Sequence, residues 1–128
     1  MDDLLKGIDL ESGVTLNNAV AFMDGGSVML WLTDSNQTPF EILFCQSVSL
    51  GKRSNPDAWI PGNFLLNNTE VPIRSNGERK ILSALKSFKF SDKIPFKHRA
   101  IERELIDSRI AFVESEDYLK IASEMGRI

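Results

Sequence analysis

The chain has 128 residues, of which 42% are hydrophobic and 26% are charged, and its formal net charge is −3. This composition is typical of a globular protein, excludes a disordered tail, and argues against a general polyanion-binding protein. Residues 74–103 depart from this average, because they hold nine Lys and Arg against three acids. Their net charge of +6 leaves −9 for the rest of the chain.

The sequence carries no recognisable targeting or membrane signal. Its start, "MDDLLKGIDLESG", has no basic segment followed by an apolar run, and the chain lacks the roughly 18 consecutive apolar residues of a membrane-spanning helix. Cys45 is the single cysteine, so no internal disulfide can form, which suits a reducing compartment. We therefore expect a cytoplasmic, bacterial-type protein without a membrane partner, folded as one domain over residues 1–128.

The first half of the chain predicts an antiparallel meander. Apolar runs over residues 18–23 and 28–33 flank "DGGS", a hairpin signal because glycine accepts the positive φ angles of tight turns. The turn cluster "DSNQTP" then leads to a third strand, "FEILFCQSV". The middle strand is apolar on both faces, so we expect it to be central. Either the chain covers both of its faces or a partner protein covers one.

The middle of the chain predicts a loop followed by short strands. Residues 49–63 contain two prolines and two glycines and show no clear period, which indicates a long loop. The next segment, "FLLNNTEVPIRS", predicts two short strands around a turn at Asn67 and Asn68. Pro72 cannot donate a ladder hydrogen bond, so the second of these strands belongs at a sheet edge.

From Ser75 onward the apolar period becomes helical. Ser75 and Glu78 fit a capping box before a first helix. Pro95 can open a second helix, whose apolar face is expected to hold Phe96, Ala100, Ile101 and Leu105.

The end of the chain predicts one more strand and one more helix. "RIAFV", residues 109–113, is a candidate last strand. Ser115 is a candidate cap for a final helix that begins with acids and ends near Gly126. The predicted fold class is α+β. An antiparallel sheet, made of an N-terminal meander of about three strands plus short edge strands, packs against about three C-terminal helices.

Few residues suit catalysis or metal binding. Cys45 lies among apolar residues of a predicted strand, so we expect it to pack in the core rather than act as a nucleophile. One cysteine and one histidine, His98, cannot complete a closed zinc site. We expect no metal, no cofactor and no enzymatic activity. The eighteen acids still leave a small-ligand domain or a carboxylate-based enzyme as an alternative.

The segment "FKFSDKIPFKHRAIER", residues 88–103, combines cations with aromatic rings. Exposed rings that stack on bases beside cations are typical of single-stranded nucleic-acid binding, so an RNA or single-stranded DNA interface over residues 79–103 is an alternative function. The other interpretation is a solvated helix surface, with Phe88 and Phe96 in the core and His98 on the surface. Its ion pairs would join residues at helical spacing, which are Arg99, Glu102, Arg103 and Asp107.

A non-enzymatic protein-binding function is the leading hypothesis. The mild acidity, the uneven charge and the long loop favour a protein that occludes another macromolecule, as an immunity protein occludes its toxin. Trp59 in this loop could anchor the partner, or it could turn back and cover the sheet edge. The candidate partner-binding residues are Arg53, Asp57, Trp59, Lys93, Lys97, His98 and Arg99.

Overall fold

The structure, a computed structural model, describes residues 2–22, 26–46 and 61–124. The strands are β1 (Val14–Ala21), β2 (Val28–Asp34), β3 (Pro39–Gln46), β4 (Pro61–Leu66), β5 (Thr69–Glu70) and β6 (Lys89–Phe90). The helices are α1 (Asn76–Lys86), α2 (Arg99–Val113) and α3 (Glu116–Glu124), and 3-10 helices span Asp2–Leu5 and Phe96–His98. The α+β prediction, with strands first and helices after them, is confirmed.

One sheet contains these six strands in the order β5-β4-β3-β2-β1-β6. Strands β1 to β5 pair antiparallel with their neighbours, whereas β6 pairs parallel with β1. The predicted meander is confirmed, and β2 is central as expected. The sequence did not predict β6, because a two-residue strand carries no period of its own and its pairing with β1 is non-local.

The turn between β4 and β5 follows the predicted chemistry. Asn67 and Asn68 have φ angles of 48° and 65°, a left-handed conformation that asparagine tolerates better than most residues. Strand β5 lies at the sheet edge, as the position of Pro72 indicated. The predicted loop is wrong at its C-terminal end, since β4 begins at Pro61. Its residues 49–60 lie outside the described residues.

The core lies between one face of the sheet and the helices. In β2 the alternate residues Val28, Leu30 and Leu32 are at most 1% exposed, as expected of a strand with one face on the core. Buried helix residues complete the same cluster, and these are Ile81, Leu82, Leu85, Ile106, Ile110, Val113 and Tyr118. Full burial of one such aliphatic side chain stabilises the fold by roughly 1.5–3 kcal/mol.

Two predicted helix caps are present. The Ser75 hydroxyl accepts a hydrogen bond from the Glu78 amide at 3.1 Å, so α1 begins where predicted. The Ser115 hydroxyl accepts from the Tyr118 amide at 3.2 Å at the start of α3. Each cap satisfies an amide that the helix itself leaves without a partner. Gly126, the predicted end of the last helix, lies outside the described residues.

Helix α2 corrects two predictions. Residues 109–113, the candidate last strand, form the C-terminal end of this helix. Its buried positions are Ile106, Ile110 and Val113, so Ile101 points elsewhere, about 140° around the helix from Ile106. Ile101 is accordingly 69% exposed, and Phe96 in the preceding 3-10 helix is 84% exposed. The expectation that Phe96, Ala100 and Ile101 pack in the core is wrong, whereas Leu105 packs against the core cluster as expected.

None of the helices within residues 2–22, 26–46 and 61–124 has both the length and the apolar character needed to cross a bilayer.

Candidate binding surface

The candidate residues fall into two groups in the structure. Arg53, Asp57 and Trp59 lie in residues 47–60, outside the described part of the chain. The other candidates occupy the turn before α2 and its first residue. Lys93, Lys97 and His98 are exposed, and Arg99 is half-buried. We call Lys93, Phe96, Lys97, His98 and Arg99 together the basic corner.

Arg99 is held in place by rings and carbonyl groups rather than by acids. Its guanidinium carbon lies 5.5 Å from the ring centroids of both Phe90 and Phe96. Its Nε donates to the Ile94 carbonyl and its Nη2 to the Ser91 carbonyl, each at 3.3 Å. Arg99 therefore connects Ser91 and Ile94 to the ring of Phe96 and fixes the turn that presents Phe96.

Arg103 makes similar contacts at the next turn of α2. Its guanidinium carbon is 3.7 Å from the Phe88 ring centroid, and its Nη2 donates to the Phe88 carbonyl at 2.9 Å. Phe88 itself is 3% exposed, so its predicted place in the core is confirmed. Cation–π contacts of this kind contribute about 0.5–2 kcal/mol.

The predicted ion-pair network on α2 is mostly replaced by these contacts. Of the four charged residues, only Arg103 and Asp107 form an ion pair among the described contacts, at the long distance of 4.0 Å. Oε2 of Glu102 is buried without a described hydrogen-bond partner. Burial raises the pKa of Glu102, and the opposing effect of the nearby His98 is smaller.

The basic corner can present a flat apolar ring between cations. The Phe96 ring is 84% exposed, and Lys93 and Lys97 flank it along the chain as exposed side chains. Such an arrangement can stack on a nucleic-acid base while the cations meet phosphates, or it can enter a pocket rimmed by acids on a protein.

The second candidate surface is the face of the sheet opposite the core. The strand register places Val20 opposite Met29, Met29 opposite Leu43, and Leu43 opposite Leu65. These four side chains form one line across four strands, which we call the apolar row. Val20 is 37% exposed, and the other three are partly exposed. The expectation that the chain buries both faces of β2 is therefore not met among the described residues.

Trp31 and Cys45 lie on the same outer face as the apolar row. Trp31 is partly exposed and pairs with Asn18 and Glu41 across the sheet. It borders a shallow depression of about 260 Å³. Cys45 is only partly buried, so its predicted place in the core is wrong. The alternation of β3 turns Phe44, and not Cys45, into the core, where Phe44 is 0% exposed.

A polar cavity beside α1 is the feature that the sequence did not predict. It has a volume of about 340 Å³ and is lined in part by Arg74, Glu78, Arg79 and Glu114. Burial raises the pKa of Glu78, although its Oε1 accepts from Arg74 at 3.2 Å. The alternative of a carboxylate-based or small-ligand activity stays a prediction. Within the described residues, no group of three or more His, Cys, Asp or Glu is arranged to hold a metal ion.

The chain matches no protein-family model, no curated protein and no solved structure.

Proposed function

We propose that the chain is a non-enzymatic protein-binding inhibitor that occludes a cognate protein, in the manner of a bacterial immunity protein and its toxin. The observation that carries this proposal is the apolar row on the outer face of the sheet, formed by Val20, Met29, Leu43 and Leu65. A row of aliphatic side chains across four strands is the kind of surface that another polypeptide covers.

The chemistry of this face favours a protein over a polyanion. On this face, Glu41 is the charged residue that β2 and β3 contribute, and neither strand contains Lys or Arg. Trp31 adds an aromatic side chain beside the row, and tryptophan is enriched among the residues that dominate interface energetics. A nucleic acid would find no cation on β2 or β3 to neutralise its phosphates.

An inhibitor needs only a complementary shape and charge at its surface. This fits a chain that has one cysteine and one histidine. Outside residues 74–103 the net charge is −9, and this excess of acids suits association with a basic partner. The comparison with toxin inhibition rests on this charge, on the apolar row and on the presence of a single cysteine and a single histidine in the sequence.

The proposal is tested by recovery of the partner with matched variants. A tagged chain is expressed in its native host, and bound protein is quantified for the wild type, for Met29→Asp and for Ser83→Asp. The last variant places the same new charge on the exposed side of α1. We expect a stoichiometric protein with the wild type and with Ser83→Asp, and at least a tenfold loss with Met29→Asp. The recovered protein should harm the host when it is expressed alone, and co-expression of this chain should relieve the harm.

Two results would contradict the proposal. One is the absence of any stoichiometric protein partner, and the other is equal recovery with both variants while both remain folded. A partner that is harmless when expressed alone would leave protein binding in place and remove the toxin comparison.

A second candidate function is supported by a different observation. Phe96 is 84% exposed between Lys93 and Lys97, which is the arrangement that single-stranded RNA or DNA requires of a stacking site. This binding would use the basic corner and not the sheet face, so variants separate the two functions.

A further inference from the structure

Among the described residues, no strand covers one edge of β1 for most of its length. Strand β6 pairs only with Thr15 and Leu16, and the amide of Ser91 then donates to the Leu16 carbonyl at 2.9 Å. Beyond that point, no strand in the described part of the chain pairs with the outer side of residues 17–21. The sheet order places this open edge on the side of β1 away from β2, at the end of the sheet opposite to β5.

The register identifies which backbone groups point outward. The Phe22 amide donates to the Ser27 carbonyl at 2.8 Å. In an antiparallel pair, every second residue of β1 bonds to β2, and the N–H and C=O groups of the residues between them point away from β2. Ala19 and Ala21 are the outward-facing residues by this alternation. The amide of Ala19 donates at 2.9 Å to the side-chain oxygen of Asn18, as expected of an N–H group that does not bond to β2.

This edge has few of the usual defences against strand addition. Natural sheets protect their edges with charged residues, prolines or bulges. Residues 17–22, "NNAVAF", contain no charge and no proline, and Val20 and Phe22 are 37% and 45% exposed. A bulge between Leu16 and Asn18 is the defence that is present. This bulge lies at the start of the open edge and leaves residues 19–21 in regular pairing with β2.

We propose that the open edge of β1 binds an extended segment of the partner protein as an added strand. This inference rests on the proposed protein-binding function and specifies how the partner is held. Ala21 would exchange main-chain hydrogen bonds with the segment, and so would Ala19 once its amide releases the side-chain oxygen of Asn18. Alternate side chains of the segment would lie beside Val20 and lengthen the apolar row by one strand.

The charges at one end of the edge specify the segment further. Lys89 lies on β6, and Lys93 follows Ser91 in the turn that leaves β1. Both are exposed, so the end of the segment nearest to Ser91 should be acidic. A second copy of this chain would bring residues 17–22, which carry no charge, to the same edge. Charge complementarity therefore favours a partner of different sequence.

The experiment uses synthetic peptides and a pair of variants at one position. The probe is a labelled peptide of three Val-Thr repeats with two aspartates at one end, made with the acids at either terminus. Ala21→Pro removes the outward amide, and proline is tolerated on the outer side of an edge strand. Ala21→Ser keeps that amide and is the matched control. Thermal melting checks that both variants are folded.

We expect one of the two peptides to bind the wild type and Ala21→Ser alike, and to bind Ala21→Pro at least tenfold more weakly. Replacement of the aspartates by lysines should weaken binding to a similar extent. The terminus that carries the acids in the binding peptide gives the direction of the added strand. Binding that is equal for Ala21→Pro and Ala21→Ser, or no binding at all, overturns the proposal. A wild-type dimer that Ala21→Pro converts to a monomer also overturns it, since the occupant would then be a second copy.

The failure of this inference is distinguishable from the failure of the proposed function. If Ala21→Pro recovers the native partner as well as the wild type does while Met29→Asp loses it, the added strand is wrong and the protein-binding function stands. If Met29→Asp recovers the partner fully, the proposed function itself is contradicted.

Discussion

Arg74 joins Glu78 to the far end of the helical layer. Its Nη1 donates to Oε1 of Glu78 at 3.2 Å and to the Val113 carbonyl at 2.6 Å, and its Nη2 donates to the Ser115 carbonyl at 2.8 Å. Val113 is the last residue of α2, where carbonyl groups lack partners within the helix. One guanidinium thus connects the start of α1 to the junction between α2 and α3, although the φ angle of Arg74 is the unfavourable value of 58°.

The first prediction concerns this connection. Arg74→Ala removes two hydrogen bonds to main-chain carbonyl groups and leaves the buried Glu78 carboxylate without its charged partner. We expect a loss of about 2–4 kcal/mol in the free energy of unfolding, measured with urea. Arg79→Ala is the control, because Arg79 is exposed. Among the described contacts its guanidinium donates only to the Asn76 side chain, at 3.1 Å. Equal effects of the two changes would contradict the structural role of Arg74.

The second prediction follows from the burial of Glu78. Burial raises the pKa of this carboxyl above its usual value of 4.5, and Arg74 opposes the shift to a lesser degree. The folded state therefore binds a proton more readily than the unfolded state, so the contribution of Glu78 to stability is present below pH 4.5 and is lost as the pH rises through the raised pKa.

Glu78→Gln should remove this dependence on pH. We expect the free energy of unfolding of the variant to improve relative to the wild type as the pH rises from 4 to 8, measured in urea at each pH. Glu104→Gln is the control for the loss of one acidic side chain, because Glu104 lies on the exposed side of α2. A difference between Glu78→Gln and the wild type that does not change with pH would contradict the prediction.

The local features of the fold were predictable from the sequence. Ser75 and Ser115 act as helix caps, and Asn67 and Asn68 form the turn, because each of these depends on residues within about four positions in the chain. Asp34 illustrates the limit of such reasoning. Its carboxylate accepts from the amides of Asn36 and Thr38, which are local, but also from the amide of Asp9 at 2.9 Å. The sequence indicated only a turn at this position.

The candidate surfaces were predictable only to a limited extent, for a related reason. The two-faced apolar pattern of β2 indicated a covered outer face, but the alignment of Val20, Met29 and Leu43 depends on the register of three strands. Phe96 and Ile101 were expected in the core because, together with Ala100 and Leu105, they fit a helical stripe. The phase of α2 is set instead by Ile106 and Ile110, which pack in the core cluster, and no local signal separates the two arrangements.

The third prediction measures how much of the outer sheet face the chain covers. Met29 and Leu30 are neighbours on β2 that point to opposite faces. Leu30→Ala should cost about 2–5 kcal/mol, because Leu30 is 0% exposed and its removal leaves a cavity. Met29→Ala should cost about 1 kcal/mol or less, since its side chain is partly exposed. If urea unfolding gives similar costs for the two changes, the chain itself covers this face and the apolar row is not a partner surface.

The fourth prediction tests the nucleic-acid alternative at the basic corner. If Phe96 stacks on a base, Phe96→Ala should weaken the binding of a single-stranded RNA by about 1–3 kcal/mol with little change in its salt dependence. Lys93→Ala combined with Lys97→Ala should reduce the slope of log affinity against log salt by about 1.4, or roughly 0.7 for each phosphate that is no longer neutralised. Ile101→Ala is the control for the removal of an exposed apolar side chain, since Ile101 is 69% exposed and has no ring to stack. Affinities are measured by fluorescence anisotropy from 50 to roughly 200 mM salt. Undetectable binding at the lowest salt, or the same affinity for Phe96→Ala and Ile101→Ala, would exclude this function and leave the sheet face as the candidate surface.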